Sequence, residues 1–119
     1  ALYMTHAFVE PHKDFEVNQI SIIEDIYTKV GKENNVLVIP VGLAFDIAYK
    51  ELPGIKLHHN DGTHPNLKGT YLAACTVFAS IYGESPIGLK YDYYGAINKD
   101  DKKLLQEIAH KATLMYLNE

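Results

Sequence analysis

Apolar residues along this chain fall into blocks with different periods, and the periods predict different elements. Residues 2–5 are a short β-prone run leading into a polar loop, "THAFVEPHKD". A helix is expected next. Asp14 reads as its N-cap with Glu16 in the first turn, Ile20, Ile23, Tyr27 and Val30 recur at three- and four-residue spacing, and Gly31 supplies a stop. "NVLVIPV" is a continuous apolar run too short for a helix, the signature of a strand buried on both faces of a parallel sheet. "GLAFDIAYKEL" predicts a helix of about ten residues ended by Pro53. Asn66 is placed to cap a helix from Leu67 to Tyr82, which is apolar around much of its circumference. "GESPIGLKYDYYGAINKD" reads as a loop. Asn98 or Asp100 then opens a last helix, with Leu104, Leu105, Ile108, Ala112 and Met115 as one apolar stripe.

The order strand–helix–strand–helix–helix–helix is that of an α/β layered domain with a parallel sheet. It is short of strands, because sheets usually contain about 5–6. Residues 1–119 are therefore expected to form one α/β domain that is the back half of a larger one. On this reading the first strand keeps an open edge and the 67–82 helix an uncovered apolar side. Either an N-terminal half or self-association would be needed to cover them.

Composition narrows the function classes. The hydrophobic fraction of 47% and charged fraction of 22% are those of an ordinary globular chain. No apolar run approaches the roughly 18 residues that span a bilayer. Net charge is −4 and all 11 basic residues are lysine, so there is no guanidinium fork for phosphate or base edges. Nucleic acid is thus an unsuitable partner. Cys75 is the single cysteine, which excludes an internal disulfide and a thiolate metal cluster, and its apolar surroundings predict a buried thiol.

Chemistry concentrates in "LHHNDGTHPN", residues 57–66, which holds three of the six histidines. Asp61 and His64 are three apart, Gly62 permits a tight turn, and Pro65 keeps the histidine out of the following helix. In a D-x-x-H turn the carboxylate can fold back onto Nδ1–H of its near neighbour, fixing the tautomer and leaving Nε2 as a free base. The same spacing also fits an Asx-turn ahead of a helix, with no chemistry attached. A metal site built on His58, His59 and His64 is disfavoured, because adjacent residues of an extended segment point to opposite sides. Helical i, i+4 histidines of the zinc-hydrolase kind are absent.

"DGTHPNLKGTYLAACTVFASIYGESPIGL" resembles the terminal block of the SGNH (GDSL-type) hydrolases, in which a D-x-x-H-P motif precedes a helix with an early glycine. Here "DGTHP" and Gly69 match it. "GTYLAAC" and "VLVIPVGLAF" are more specifically similar to a bacterial branch of uncharacterised SGNH-type proteins, and the similarity runs from about Leu2 to Leu117. The resemblance implies a three-layer α/β/α, flavodoxin-like sandwich, hydrolysis of an acyl ester of a carbohydrate or another small alcohol, and no cofactor or metal. By motif match His64 would be the general base and Asp61 its orienting carboxylate. The family's Gly-Asp-Ser nucleophile block and its oxyanion-hole blocks have no counterpart here, and Ser21, Ser80 and Ser85 follow no Gly-Asp pair. The expectation is that this chain carries the base and orienter only and is inactive alone. The alternative is a non-catalytic α/β module that binds a ligand with the same histidine-rich loop.

His6 and His12 lie in the loop after the first strand, on the side where open α/β sheets bind ligands, and His58 and His59 flank the dyad. Among these His6 and His59 are candidate substrate contacts. Tyr91, Tyr93 and Tyr94 could stack on a sugar ring, although packing against the core is the plainer role. His110 reads as a surface residue.

Overall fold

The computed structural model describes residues 1–118. In chain order these form β1 (Leu2–Tyr3), α1 (Gln19–Asn34), β2 (Val38–Ile39), α2 (Val41–Glu51), α3 (Leu67–Tyr82) and α4 (Lys99–Leu117). β1 and β2 pair in parallel, Leu2 opposite Val38 and Tyr3 opposite Ile39, giving a two-stranded sheet in an otherwise helical α/β fold. Both strands are shorter than the apolar runs that predicted them. Val36 and Leu37 are exposed, so the buried part of "NVLVIPV" begins at Val38.

The α1 boundaries differ from the sequence expectation at both ends. The helix starts at Gln19, behind Asn18 in the left-handed conformation (φ 62°), and not behind Asp14. The loop before it is held by other partners: Gln19 Oε1 accepts from the Phe8 amide at 3.0 Å, and its Nε2 donates to the Asp14 carbonyl at 3.2 Å. Gly31 is inside the helix, where a β-carbon would collide with the Val38 side chain. The glycine thus serves close helix–strand packing, and the stop is Asn35 (φ 51°), with the Val36 amide returning to the Gly31 carbonyl at 3.0 Å.

α3 matches expectation from cap to end. The Asn66 side chain accepts from the Gly69 amide at 2.9 Å, and Gly83 (φ 65°) closes the helix. α4 is capped by Asn98, which accepts from the Asp101 amide at 2.8 Å. Its buried arc comprises Leu105, Ile108, Ala109 and Ala112, packed against α2 and α3. Leu104 and Met115 are exposed and lie at the rims of that arc, so the predicted stripe is narrower and slightly rotated.

Met4, Val41, Leu57, Leu72 and Leu105 are fully buried at the centre of one core. Gln106 is buried too. Its Nε2 donates to the Tyr71 hydroxyl and the Leu89 carbonyl, each at 2.9 Å, and its Oε1 accepts from the Gly88 amide at 3.0 Å, tying the 83–98 loop to α4. Tyr93 packs edge-on to Tyr71, while Tyr94 is almost wholly exposed. α1 leaves an apolar stripe without cover (Ile22, Ile26, Val30). α3 hides its centre and exposes only Leu67, Ile81 and Tyr82 among its large hydrophobics.

Candidate active site

Residues 57–66 form a narrow hairpin between α2 and α3. Its arms are joined by the Asn66 amide to the Leu57 carbonyl (2.9 Å) and the His59 amide to the His64 carbonyl (2.7 Å), and its tip by the Gly62 amide to the His59 carbonyl (3.0 Å). Asn66 locks the base of the hairpin to α3, since its Nδ2 donates to the Lys56 carbonyl at 2.8 Å while its Oδ1 caps the helix. Gly62 has φ 75°, and a β-carbon there would also collide with the Val9 carbonyl. Only glycine fits this position.

Asp61 and His64 meet at the tip. Asp61 Oδ2 lies 2.5 Å from His64 Nδ1, and Oδ1 accepts from the Thr63 and His64 amides, both at 3.0 Å. One carboxylate therefore makes the Asx-turn and the imidazole bond together, each oxygen serving one of them. The Thr63 amide, the His64 ring and the His64 amide, in that order, stabilise the ionised form and hold the Asp61 carboxyl well below the usual carboxylate range. An ionised carboxylate only accepts, so Nδ1 carries the proton and Nε2 of the neutral ring keeps its lone pair. The His64 side chain is 74% exposed.

The other histidines take different places. His59 is exposed beside the dyad. His12 stacks on Phe8 with ring centres 4.0 Å apart, and its Nδ1 accepts from the Asp14 amide. His6 is half-buried, stacked on Phe45 at 4.8 Å, with Nε2 bonded to the Thr63 carbonyl at 2.6 Å. His58 is buried, bonded through Nδ1 to the Tyr49 hydroxyl at 2.6 Å and through Nε2 to the Ala7 carbonyl at 3.1 Å. Burial first, then the neighbouring His6, pushes its pKa down against smaller opposing effects of the Ala7 carbonyl and Asp61. Tyr49 carries no motif, and local sequence offers no signal for its place here.

Phe8, Phe15, Ile20, Phe45, Tyr49 and His58 border a cavity of about 200 Å³ beside the hairpin. Neither Asp61 nor His64 lines it. Among the described residues no three His, Cys, Asp or Glu side chains converge as a metal set. Among the described residues, Ser85 Oγ accepts from the Ile87 amide at 3.2 Å, and Ser80 Oγ is buried without a partner. Among the described residues no helix is long and apolar enough to cross a membrane.

The elements thus define an α/β protein with an Asp–His pair on a hydrogen-bonded hairpin. No protein-family model matches the chain, and no curated protein matches it. Among solved structures it is similar to the crystal structure of a DUF4886 family protein from Bacteroides uniformis. The TM-score is 0.84 at 24% sequence identity, over 98% of this chain and 48% of that one. Likeness at this identity is a likeness of fold, and the chain spans about half the length of that protein.

Proposed function

We propose that the chain is the C-terminal part of an SGNH-type ester hydrolase, supplying the general base His64 and its orienting carboxylate Asp61. The observation that carries this reading is the Asp61–His64 bond of 2.5 Å with the second carboxylate oxygen locked by two amides and the imidazole open to solvent. In the proposed reaction His64 Nε2 takes the proton of a serine hydroxyl as it attacks an ester carbonyl. Asp61 stabilises the imidazolium formed, and His64 returns the proton to the departing alcohol; water then attacks the acyl-serine, its proton passing through His64 Nε2 to the serine oxygen as the acid leaves. The 119 residues contain no Gly-Asp-Ser block. The reading therefore assigns the hydroxyl to a further segment or second chain that pairs with the open edge of β1 and completes a three-layer α/β/α sandwich. The exposed Tyr3 on β1, the uncovered α1 stripe and the twofold greater length of the Bacteroides protein support that assignment.

The test is hydrolysis of p-nitrophenyl acetate and acetylated sugars by the chain joined to its serine-bearing half. In serine hydrolases loss of the base costs on the order of 10⁶-fold in kcat and loss of the orienter on the order of 10⁴-fold, so His64→Ala should fall furthest and Asp61→Asn somewhat less. The 119-residue chain alone should not exceed its own His64→Ala control, because it lacks both nucleophile and oxyanion donors. Turnover unaffected by His64→Ala in the joined protein rejects the assignment.

The aromatic-lined cavity beside His58 favours a second reading, a module that binds an apolar ligand without chemistry. Saturable shifts of the Phe45 and Tyr49 resonances with p-nitrophenol, in a joined protein that turns over no ester, would put that reading first.

A further inference from the structure

The loop after β1 and the dyad hairpin are laced by hydrogen bonds running in both directions. From the loop, His6 Nε2 reaches the Thr63 carbonyl at 2.6 Å, inside the D-x-x-H turn itself. From the hairpin, His58 Nε2 reaches the Ala7 carbonyl at 3.1 Å. The two rings meet edge to face with centres 4.8 Å apart, and the Val9 amide donates to the Gly62 carbonyl at 2.9 Å.

A carbonyl accepts only, so both imidazoles must carry their proton on Nε2. At His58 the bare Nδ1 then accepts from the Tyr49 hydroxyl at 2.6 Å. The same hydroxyl oxygen accepts from the Leu57 amide at 3.0 Å, which fixes the root of the hairpin. At His6 the bare Nδ1 is buried without a partner. A buried unpaired acceptor is costly, and it is held in place here by stacking on Phe45 and by the bond to Thr63.

We propose that His6 and His58 form a reciprocal clasp that positions the Asp61–His64 pair, each donating Nε2–H to the backbone of the other's segment. They are positioning residues, acting through the turn and not on a substrate. The consequence for catalysis rests on the esterase reading, whereas the clasp itself does not. Thr63 lies between the dyad partners, so restraint of its carbonyl sets the turn in which Asp61 Oδ1 collects its two amides. With the turn fixed, Oδ2 is aimed at Nδ1 without further loss of freedom.

The experiment reads imidazole tautomers in the ¹⁵N-labelled 119-residue chain, through correlations from carbon-bound ring protons to ring nitrogens, at a pH where the rings are neutral. The unaltered protein should show Nε2–H at His6 and His58 and the opposite form, Nδ1–H, at His64. His6→Phe keeps the ring on Phe45 and removes the donor, and should abolish the dominance of Nδ1–H at His64. His6→Gln carries an amide NH₂ at nearly the position of Nε2 and should restore it. An Nδ1–H form at His6 or His58 in the unaltered protein overturns the clasp whether or not the variants fold. So does a His64 tautomer unchanged in His6→Phe, or one not restored in a folded His6→Gln. None of these readouts requires ester turnover, so failure of the hydrolase reading leaves them standing and is told apart from failure of the clasp. In the joined enzyme His6→Phe should lower kcat with little change in KM, and His6→Gln should recover it.

Discussion

Asn66 does two jobs with one side chain, and separating them tests how the hairpin is held. Its Oδ1 caps α3 through the Gly69 amide (2.9 Å), and its Nδ2 donates to the Lys56 carbonyl (2.8 Å) across the base of the hairpin. Asn66→Ala removes both while leaving the backbone bonds of residue 66 in place. A lost cap costs about 1 kcal/mol, within a range of roughly 0.5–2. The lost side-chain bond costs about 1 kcal/mol more. The expected total is about 2 kcal/mol. Asn66→Asp keeps the acceptor and adds a charge favoured at a helix N-terminus, but it loses the donor and turns a carboxylate oxygen toward the Lys56 carbonyl. It should recover about half the loss. Asn98→Ala on α4, where the Asp101 amide loses its cap and an exposed side-chain pair opens, should cost about 1 kcal/mol. Urea unfolding followed by circular dichroism measures all three. With m between about 1 and 3 kcal/mol/M, Asn66→Ala should shift the midpoint by roughly 1 M. A loss under about 0.5 kcal/mol for Asn66→Ala, or equal losses for Asn66→Asp and Asn66→Ala, would refute the double role.

Other consequences follow from the same packing. Gly69→Ala would drive a β-carbon into the Leu57 carbonyl, which is held by the Asn66 amide, so overpacking of about 1–3 kcal/mol should outweigh a helix-propensity gain under about 1 kcal/mol. Thermal melting checks the sign, and a stabilised variant contradicts the close approach. Stability should fall on both sides of neutrality. His58 titrates lower folded than unfolded, so its stabilisation is present above about pH 6.5 and lost as pH falls toward its native value. Asp61 adds a second loss below about pH 4. On the alkaline side burial raises Cys75 to about 11 and Tyr71 to about 12, so their stabilisation is lost as pH climbs from their ordinary values toward these. Urea midpoints from about pH 2 to about pH 11 test the shape, and a maximum below about pH 6 would contradict it. The free edge of β1 and the Ile22, Ile26, Val30 stripe should make the isolated 119-residue chain associate. Sedimentation across a concentration series decides this, and a compact monomer throughout would count against the assignment of a missing partner strand.

Amino-acid order alone determined what depends on near neighbours. The helices at 41–51, 67–82 and 99–117 were legible because breakers and caps lie at their ends: Pro53, Asn66 and Asn98 act within a turn of the backbone they terminate. The Asp61–His64 pairing was legible for the same reason, since its partners are three residues apart with Gly62 permitting the turn between them. Its coexistence with an Asx-turn was not, because spacing cannot tell which carboxylate oxygen serves which donor. Tertiary structure decided everything that depends on distant segments. Gly31 looked like a helix stop until Val38 came to lie against it, and Asp14 lost the N-cap role once Gln19 was tied to Phe8. Leu104 and Met115 share the period of the buried residues but fall outside the arc that α2 and α3 cover. The pairings of His6 with Thr63 and His58 with Ala7 span 57 and 51 residues. Hydrophobic periodicity reports which face of an element is apolar. It carries no information on which carbonyl a loop will present to an imidazole half a chain away, and that is settled only when the loops are folded over one another.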